Sequence, residues 1–228
     1  MNVSTVLLHT QKSNRSNEVE VKTRPRWIPT TNRFIVPTML TNKRVHGHFD
    51  VDVDVGVDVI LLDIDGVLLP FGDEQNEEAS CSGLFPDRTV AALSKILEHT
   101  GALVVLSSTW RVRSNFRQDI LTALRVYGEK FGGPLMEIST FHDLTNVNTH
   151  SERQWELRDW LMANQEKVRS WVALDDEELL EGETNEKYRY LFLGHVVKTK
   201  SSIGLTMKDA QIAIKLFKQQ QQQKGVNI

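Results

Sequence analysis

Val59-Ile60-Leu61-Leu62-Asp63-Ile64-Asp65-Gly66-Val67-Leu68 decides the fold, because an unbroken run of bulky apolar residues delivers two carboxylates, spaced by two, into a glycine turn. A short run without polar interruption suits a strand buried on both faces of a parallel sheet. Residues two apart on a strand point the same way, so Asp63 and Asp65 can converge on one point where the strand leaves the sheet. Gly66 permits the tight turn at that place. Asp-x-Asp-Gly also occurs as plain turn chemistry at strand ends. The segment therefore takes its meaning from what stands elsewhere in the chain.

From Val59 onward, strand and helix patterns alternate. Pro86 and Asp87 open a helix with Val90, Leu93, Ile96 and Leu97 on one face, closing near Gly101. A strand from Ala102 to Leu106 ends in Ser107-Ser108-Thr109-Trp110-Arg111. Ser114 is placed to cap a further helix that turns Phe116, Ile120, Leu121 and Leu124 inward and breaks at Gly132-Gly133-Pro134. Another helix begins at Ser151, with Trp155, Leu157, Trp160 and Leu161 as its apolar positions, and leads into the strand Trp171-Val172-Ala173-Leu174, closed by Asp175-Asp176. An apolar run from Tyr190 to Val197 and a helix near Lys208 to Lys218 complete the pattern. The expected fold class is α/β, a Rossmann-like doubly wound parallel sheet with right-handed crossovers. Ligands of such sheets sit outside the carboxyl ends of the strands. Asp63/Asp65, Ser107/Ser108 and Asp175/Asp176 should then open on one edge.

At 228 residues and 40% hydrophobic content the chain can bury one sizeable core. Residues 51–218 are read as that domain, 1–50 as a flexible N-terminal extension, and 219–228 as a glutamine-rich, solvated tail. Residues 1–49 carry eight Lys or Arg against Glu18 and Glu20, leaving 19 basic and 28 acidic residues in the remainder. A net acidic core argues against a nucleic-acid-coating surface. The first 17 residues lack acidic side chains and have transit-peptide composition, so organelle targeting stands as the alternative to a soluble, intracellular, cytoplasmic location. No run approaches 18 apolar residues, and no membrane partner is expected. The carboxylates of the alternating Asp/Val stretch at 50–58 are expected to be solvated. The single cysteine, Cys81, excludes an internal disulfide, and it and His46, His48 and His195 are read as structural or incidental.

The order and spacing of these segments resemble the haloacid dehalogenase (HAD) superfamily of phosphohydrolases from Val59 to about Leu216. Asp-Ile-Asp-Gly-Val-Leu resembles that family's first motif, Leu-Val-Val-Leu-Ser-Ser its second, and Val-Ala-Leu-Asp-Asp its fourth. Leu-Ser-Ser-Thr-Trp-Arg, Arg-x-x-Glu-Leu-x-x-Trp-Leu from Arg153 to Leu161, and Gly204-Leu205-Thr206 are further similar to short HAD domains of RNA-repair and related proteins. The resemblance implies Asp63 as the nucleophile that takes the phosphoryl group and Asp65 as the acid/base. It implies Ser107 as the holder of a phosphoryl oxygen, with Ser108 as its rival. It implies magnesium (Mg2+) held by Asp63, Asp175, Asp176 and the backbone carbonyl of Asp65. The third motif, usually a lysine, departs from the pattern: Lys167 lies only eight residues before Asp175, whereas Arg153, 22 residues before it, is better placed to supply the charge. A solvated helix-start residue is the other reading of Arg153.

Trp110 and Arg111, just beyond the second motif, are candidates to line the entrance, the indole stacking on a base or sugar, and core packing is the competing reading of Trp110. Only 41 residues separate Asp65 from Ser107 and 45 separate Ser107 from Arg153, too few for a separate cap domain. The expected activity is a magnesium-dependent phosphatase acting through an aspartyl-phosphate intermediate. Its expected partner is a phosphorylated substrate, small molecule or macromolecule, a nucleic-acid end included. Two other classes compete: a catalytically silent HAD-like binding module, and a metal-dependent nucleotide-sugar transferase that also uses Asp-x-Asp. The latter would need neither Ser107 nor the Asp175-Asp176 pair in this order.

Overall fold

The computed structural model describes residues 56–72, 80–146 and 152–225, all of which fall in the unit Val51–Ile228. The readings placed on residues 1–50, on the Asp/Val alternation before residue 56 and on Ser151 lie outside the described residues. β1 (Val57–Leu62) runs between β2 (Leu103–Leu106) and β4 (Val168–Asp175), with β3 (Asp143–Leu144) and β5 (Val196–Lys198) as the edges. Every strand pair is parallel, in the order β3-β2-β1-β4-β5. Parallel neighbours require crossovers. α1 (Asp87–Thr100) connects β1 to β2, α2 (Ser114–Phe131) follows β2, α3 (Arg153–Asn164) leads into β4, α4 (Arg189–Phe192) leads into β5, and α5 (Met207–Gly225) closes the chain.

The two-residue side-chain period of β1 divides the core in two. Ile60 and Leu62 join Leu93, Ile96, Ile120, Leu124 and Phe217 on one face. Val59 and Leu61 join Leu157, Trp160, Leu179 and Phe192 on the other. Because helices cover both faces, neither parity of the strand tolerates a polar residue, and the run reads as continuous hydrophobicity. Register then fixes the level at which polarity begins. Leu62 is paired with Leu106 and with Leu174, so Asp63, Ser107 and Asp175 leave three adjacent strands at the same height. The amide of Asp63 donates to Leu174 O at 3.0 Å and that of Ser107 to Leu62 O at 2.9 Å, carrying the ladder one residue beyond the strands.

Several local expectations are corrected. α2 starts at Ser114, but its N-cap is Arg113 and no side chain caps it, because a serine already inside the first turn is one position too late. The apolar run from Tyr190 to Val197 is two elements, α4 and β5, separated at Gly194, whose φ of 80° ends the helix. The glutamines at 219–223, expected as a solvated tail, are exposed apart from the half-buried Gln220, but they continue α5. Gln220 donates to Trp171 O at 2.9 Å and accepts from Trp171 N at 3.0 Å, completing part of a β4 backbone. Asp58, expected in solvent, is 4% exposed and takes bonds from Arg169 at 2.6 and 2.9 Å, from Gln221 at 3.0 Å and from the Ser170 hydroxyl. Among the described residues no helix is long and apolar enough to cross a membrane.

Candidate active site

The turn after β1 builds the floor of the site. The amides of Val67, Leu68 and Leu69 all bond Ile64 O, and Gly66 N donates to Leu69 O at 2.7 Å, so the chain doubles back within a few residues of Asp63. Gly66 has φ 68°, and a Cβ on it would stand 2.3 Å from Cγ of Asp176. Only glycine meets both demands. The buried hydroxyl of Thr199, one residue past the β5 partner of Asp175, donates to Gly66 O at 2.8 Å and fixes the turn from the other side.

Asp63, Asp175 and Asp176 come together here, each offering an oxygen within 4.8 Å of the others. Asp63 and Asp175 are buried and Asp176 is half-buried. The side chain of Asp65 is not part of this group. Its Oδ2 accepts from Nε1 of Trp110 at 2.9 Å. Arg153, the first residue of α3, reaches across the rim: its Nη2 is 3.3 Å from Oδ1 of Asp63 and its Nε 3.3 Å from Oδ2 of Asp175. With 8% of its side chain exposed, Arg153 is no solvated helix-start residue. Ser107 is fully buried, and its Oγ has no hydrogen-bond partner. The Ser108 hydroxyl instead engages the Asp63 carboxylate and accepts from Trp110 N.

Trp110 is half-buried, tilted against Phe116 at a ring distance of 5.3 Å, and held by Asp65. Arg111 does not line the entrance. It is 4% exposed and turned inward, donating to Ser107 O at 2.6 Å and Thr145 O at 2.9 Å, with Nη2 2.9 Å from Glu156. A guanidinium with so many carbonyl and carboxylate partners is consumed by the scaffold. Glu156, which the sequence shows only as the Glu of Arg-x-x-Glu-Leu-x-x-Trp-Leu and without a role, is central here. It pairs with Arg111, sits 3.4 Å from Arg153, and accepts from the Thr145 hydroxyl. That motif and its i+3 spacing from Arg153 on α3 are the sequence signals that mark it.

Electrostatics follow from this burial. Desolvation pushes the Asp63 carboxyl up to about 6, against the opposing pull of Arg153, the Ile64 amide and the Ser108 hydroxyl. Desolvation pushes Asp175 further, to about 8, Arg153 again opposing and Asp63 adding repulsion. Asp176 is raised by burial as well. Burial works against the charge on Arg153, but Asp175, Asp63, Glu156 and Glu177 outweigh it and hold the guanidinium firmly ionised. One guanidinium thus under-compensates the carboxylates it faces, and Oδ2 of Asp175 is buried without a hydrogen-bond partner. An all-oxygen donor set with surplus negative charge fits a hard divalent cation.

A family model described as the HAD domain in Swiss Army Knife RNA repair proteins matches residues 59–210. The chain belongs to that HAD family. No curated protein and no solved structure matches it. The matched span of this HAD domain begins inside β1 and ends in the first turn of α5, so it contains all of the carboxylates, serines and arginines of the site. The five-stranded parallel sheet with helices on both faces accords with the HAD assignment.

Proposed function

We propose that the chain is a magnesium-dependent phosphohydrolase that cleaves a phosphate monoester through an aspartyl-phosphate at Asp63. The observation that carries this reading is the meeting of Asp63, Asp175 and Arg153 on the rim where Ser107 leaves its own oxygen unpartnered. Asp63, Asp175 and Asp176 would hold Mg2+, which when bound neutralises phosphoryl oxygens and the carboxylates around them. The Asp63 carboxylate attacks phosphorus, and the bond from phosphorus to the leaving oxygen breaks while Asp65 gives that oxygen a proton. Asp65 then takes a proton from water, whose oxygen attacks the same phosphorus and releases Asp63 and inorganic phosphate. Trp110 orients Asp65 through its indole N–H, leaving the second carboxylate oxygen for the proton. Arg153 offers a planar cation to phosphoryl oxygens and to Asp63 together, the charge that a lysine supplies elsewhere in the superfamily. Ser107 Oγ donates to a phosphoryl oxygen, the partner it otherwise lacks.

The test is release of inorganic phosphate from a generic aryl phosphate with Mg2+. Asp63→Asn should abolish it, lowering kcat by at least about a thousandfold, the scale expected when a covalent nucleophile is removed. Activity that survives the substitution overturns the nucleophile assignment. The silent-module reading draws on the ion pairs by which Arg153 ties Asp63 to Asp175, and it would be favoured by ligand binding without any turnover in the parent chain.

A further inference from the structure

Arg153 divides its donors between two tasks. Nη1 is committed to the protein, donating to the Ser107 carbonyl and lying 3.4 Å from both carboxylate oxygens of Glu156. Nη2 makes a long contact, 3.3 Å from Oδ1 of Asp63. Nε, although 3.3 Å from Oδ2 of Asp175, is buried and makes no hydrogen bond. Nε and Nη2 are the edge with which a guanidinium grips two oxygens of one phosphoryl group. Ser107 Oγ, buried and likewise without a hydrogen-bond partner, adds a third donor from the residue whose carbonyl holds Nη1. Glu156 stands three residues after Arg153 on α3, a neighbour on the same helix face. Its carboxylate bridges two guanidiniums, with Oε2 2.9 Å from Nη2 of Arg111 and Oε1 3.4 Å from Nη1 of Arg153. Arg111 donates to the same Ser107 carbonyl that Arg153 uses, and it is fixed there by a second bond to Thr145 O at 2.9 Å. Two cations converging on one carbonyl repel each other. The carboxylate between them offsets that repulsion and carries the fixed position of Arg111 over to Arg153.

We propose, resting on the phosphohydrolase reading, that Glu156 is a positioning residue for phosphate recognition: backed by Arg111, it pins Nη1 of Arg153 and presents the Nε and Nη2 edge, beside Ser107 Oγ, to the phosphoryl oxygens. It acts through Arg153 and touches neither the phosphoryl group nor the cation. Without the bridge, Arg111 repels Arg153, and the guanidinium turns onto Asp63 and Asp175, where its donors are lost to phosphate. The sign of the effect sets this role apart from plain electrostatics. Removing a negative charge beside an anion site would by itself strengthen anion binding, so a weakening reports lost orientation.

The test titrates inorganic phosphate into the full chain with Mg2+, followed by phosphorus NMR, beside an assay of aryl phosphate turnover. Glu156→Gln should weaken phosphate binding about tenfold, the scale of one charge-assisted hydrogen bond. In an Arg153→Lys background the same substitution should no longer weaken it, because an ammonium has no edge to be turned. Phosphate affinity in Glu156→Gln equal to or above that of the parent chain overturns the proposal, as does an equal loss in both backgrounds or a parent chain that binds no phosphate. If Glu156→Gln does not fold, Glu156→Asp replaces it: the acid is one methylene too short to span both guanidiniums and should cost about threefold. Undiminished affinity in that variant overturns the bridge. The two readings fail separately. Phosphate binding that depends on Glu156 through Arg153, with no ester turned over, upholds the positioning role while the catalytic reading fails, and turnover with phosphate affinity indifferent to Glu156 does the reverse.

Discussion

Gly66 shows how much of the site rests on a single missing atom. A methyl group there would meet the Asp176 carboxylate and would ask an L-residue to hold a positive φ. Gly66→Ala is expected to cost about 1–3 kcal/mol of stability from backbone strain and to weaken Mg2+ binding by displacing Asp176, read by urea denaturation and calorimetry. A wild-type Mg2+ affinity in the variant would remove Asp176 from the cation site. The raised carboxyls of Asp63 and Asp175 make a second prediction. Since folding raises both, to about 6 and about 8, the folded chain binds more protons than the unfolded chain from the ordinary carboxylate range up to about 8. Stability of the metal-free protein should therefore fall as pH rises through that window. Over the same range Mg2+ affinity should rise, because the cation needs the ionised carboxylates. Melting curves without metal and calorimetric titrations between pH 5 and pH 9 read both slopes, and a flat or inverted affinity profile contradicts the buried-carboxylate account.

At the scale of elements, α5 and the amino end of β4 are joined by side chains that look dispensable in the sequence. Replacing Gln220 and Gln221 together by alanine leaves the Trp171 amide and carbonyl and one oxygen of Asp58 short of partners. The expected loss is about 1–3 kcal/mol, seen as a lower urea midpoint with an unchanged slope. No shift in midpoint would mean that water replaces the amides without cost. These contacts were illegible in the sequence for a definite reason. A run of five glutamines has no periodicity from which to infer a buried face, and Asp58 acquires Arg169 and Ser170 only through the pairing of β1 with β4. The β1 run, by contrast, was legible because burial on both faces leaves one signature, and the following Asp63 and Asp65 fell where it ended. Glu156 stood within a quoted motif, but its role was hidden because a charged i+3 neighbour on a helix reads as solvent-facing. Its partner Arg111 lies on another element, 45 residues earlier in the chain.

Over the whole molecule, the site is a property of register rather than of any one segment. Asp63, Ser107 and Asp175 are neighbours because three strands end their apolar runs at the same height, and the sequence spacing revealed that the strands ended in polar residues without showing which strands lay side by side. The order with β1 at the centre puts the nucleophile candidate between the hydroxyl of β2 and the acid of β4, and it leaves α3 to bring Arg153 over the top. A cation held by Asp63, Asp175 and Asp176 would then tie together the ends of β1 and β4, and its binding should stabilise the entire fold. At a hundred times its dissociation constant, Mg2+ should add about 2.7 kcal/mol, or about 5–10 °C in Tm for a chain of this size. Chelation should remove the gain. Asp175→Asn should abolish it while leaving the metal-free protein folded, because the neutral amide escapes the desolvation that chiefly raises Asp175 in the parent chain and the repulsion from Asp63 that adds to it. Differential scanning calorimetry with and without Mg2+ reads this directly, and a metal-induced shift of equal size in Asp175→Asn would place the cation away from the β1–β4 rim.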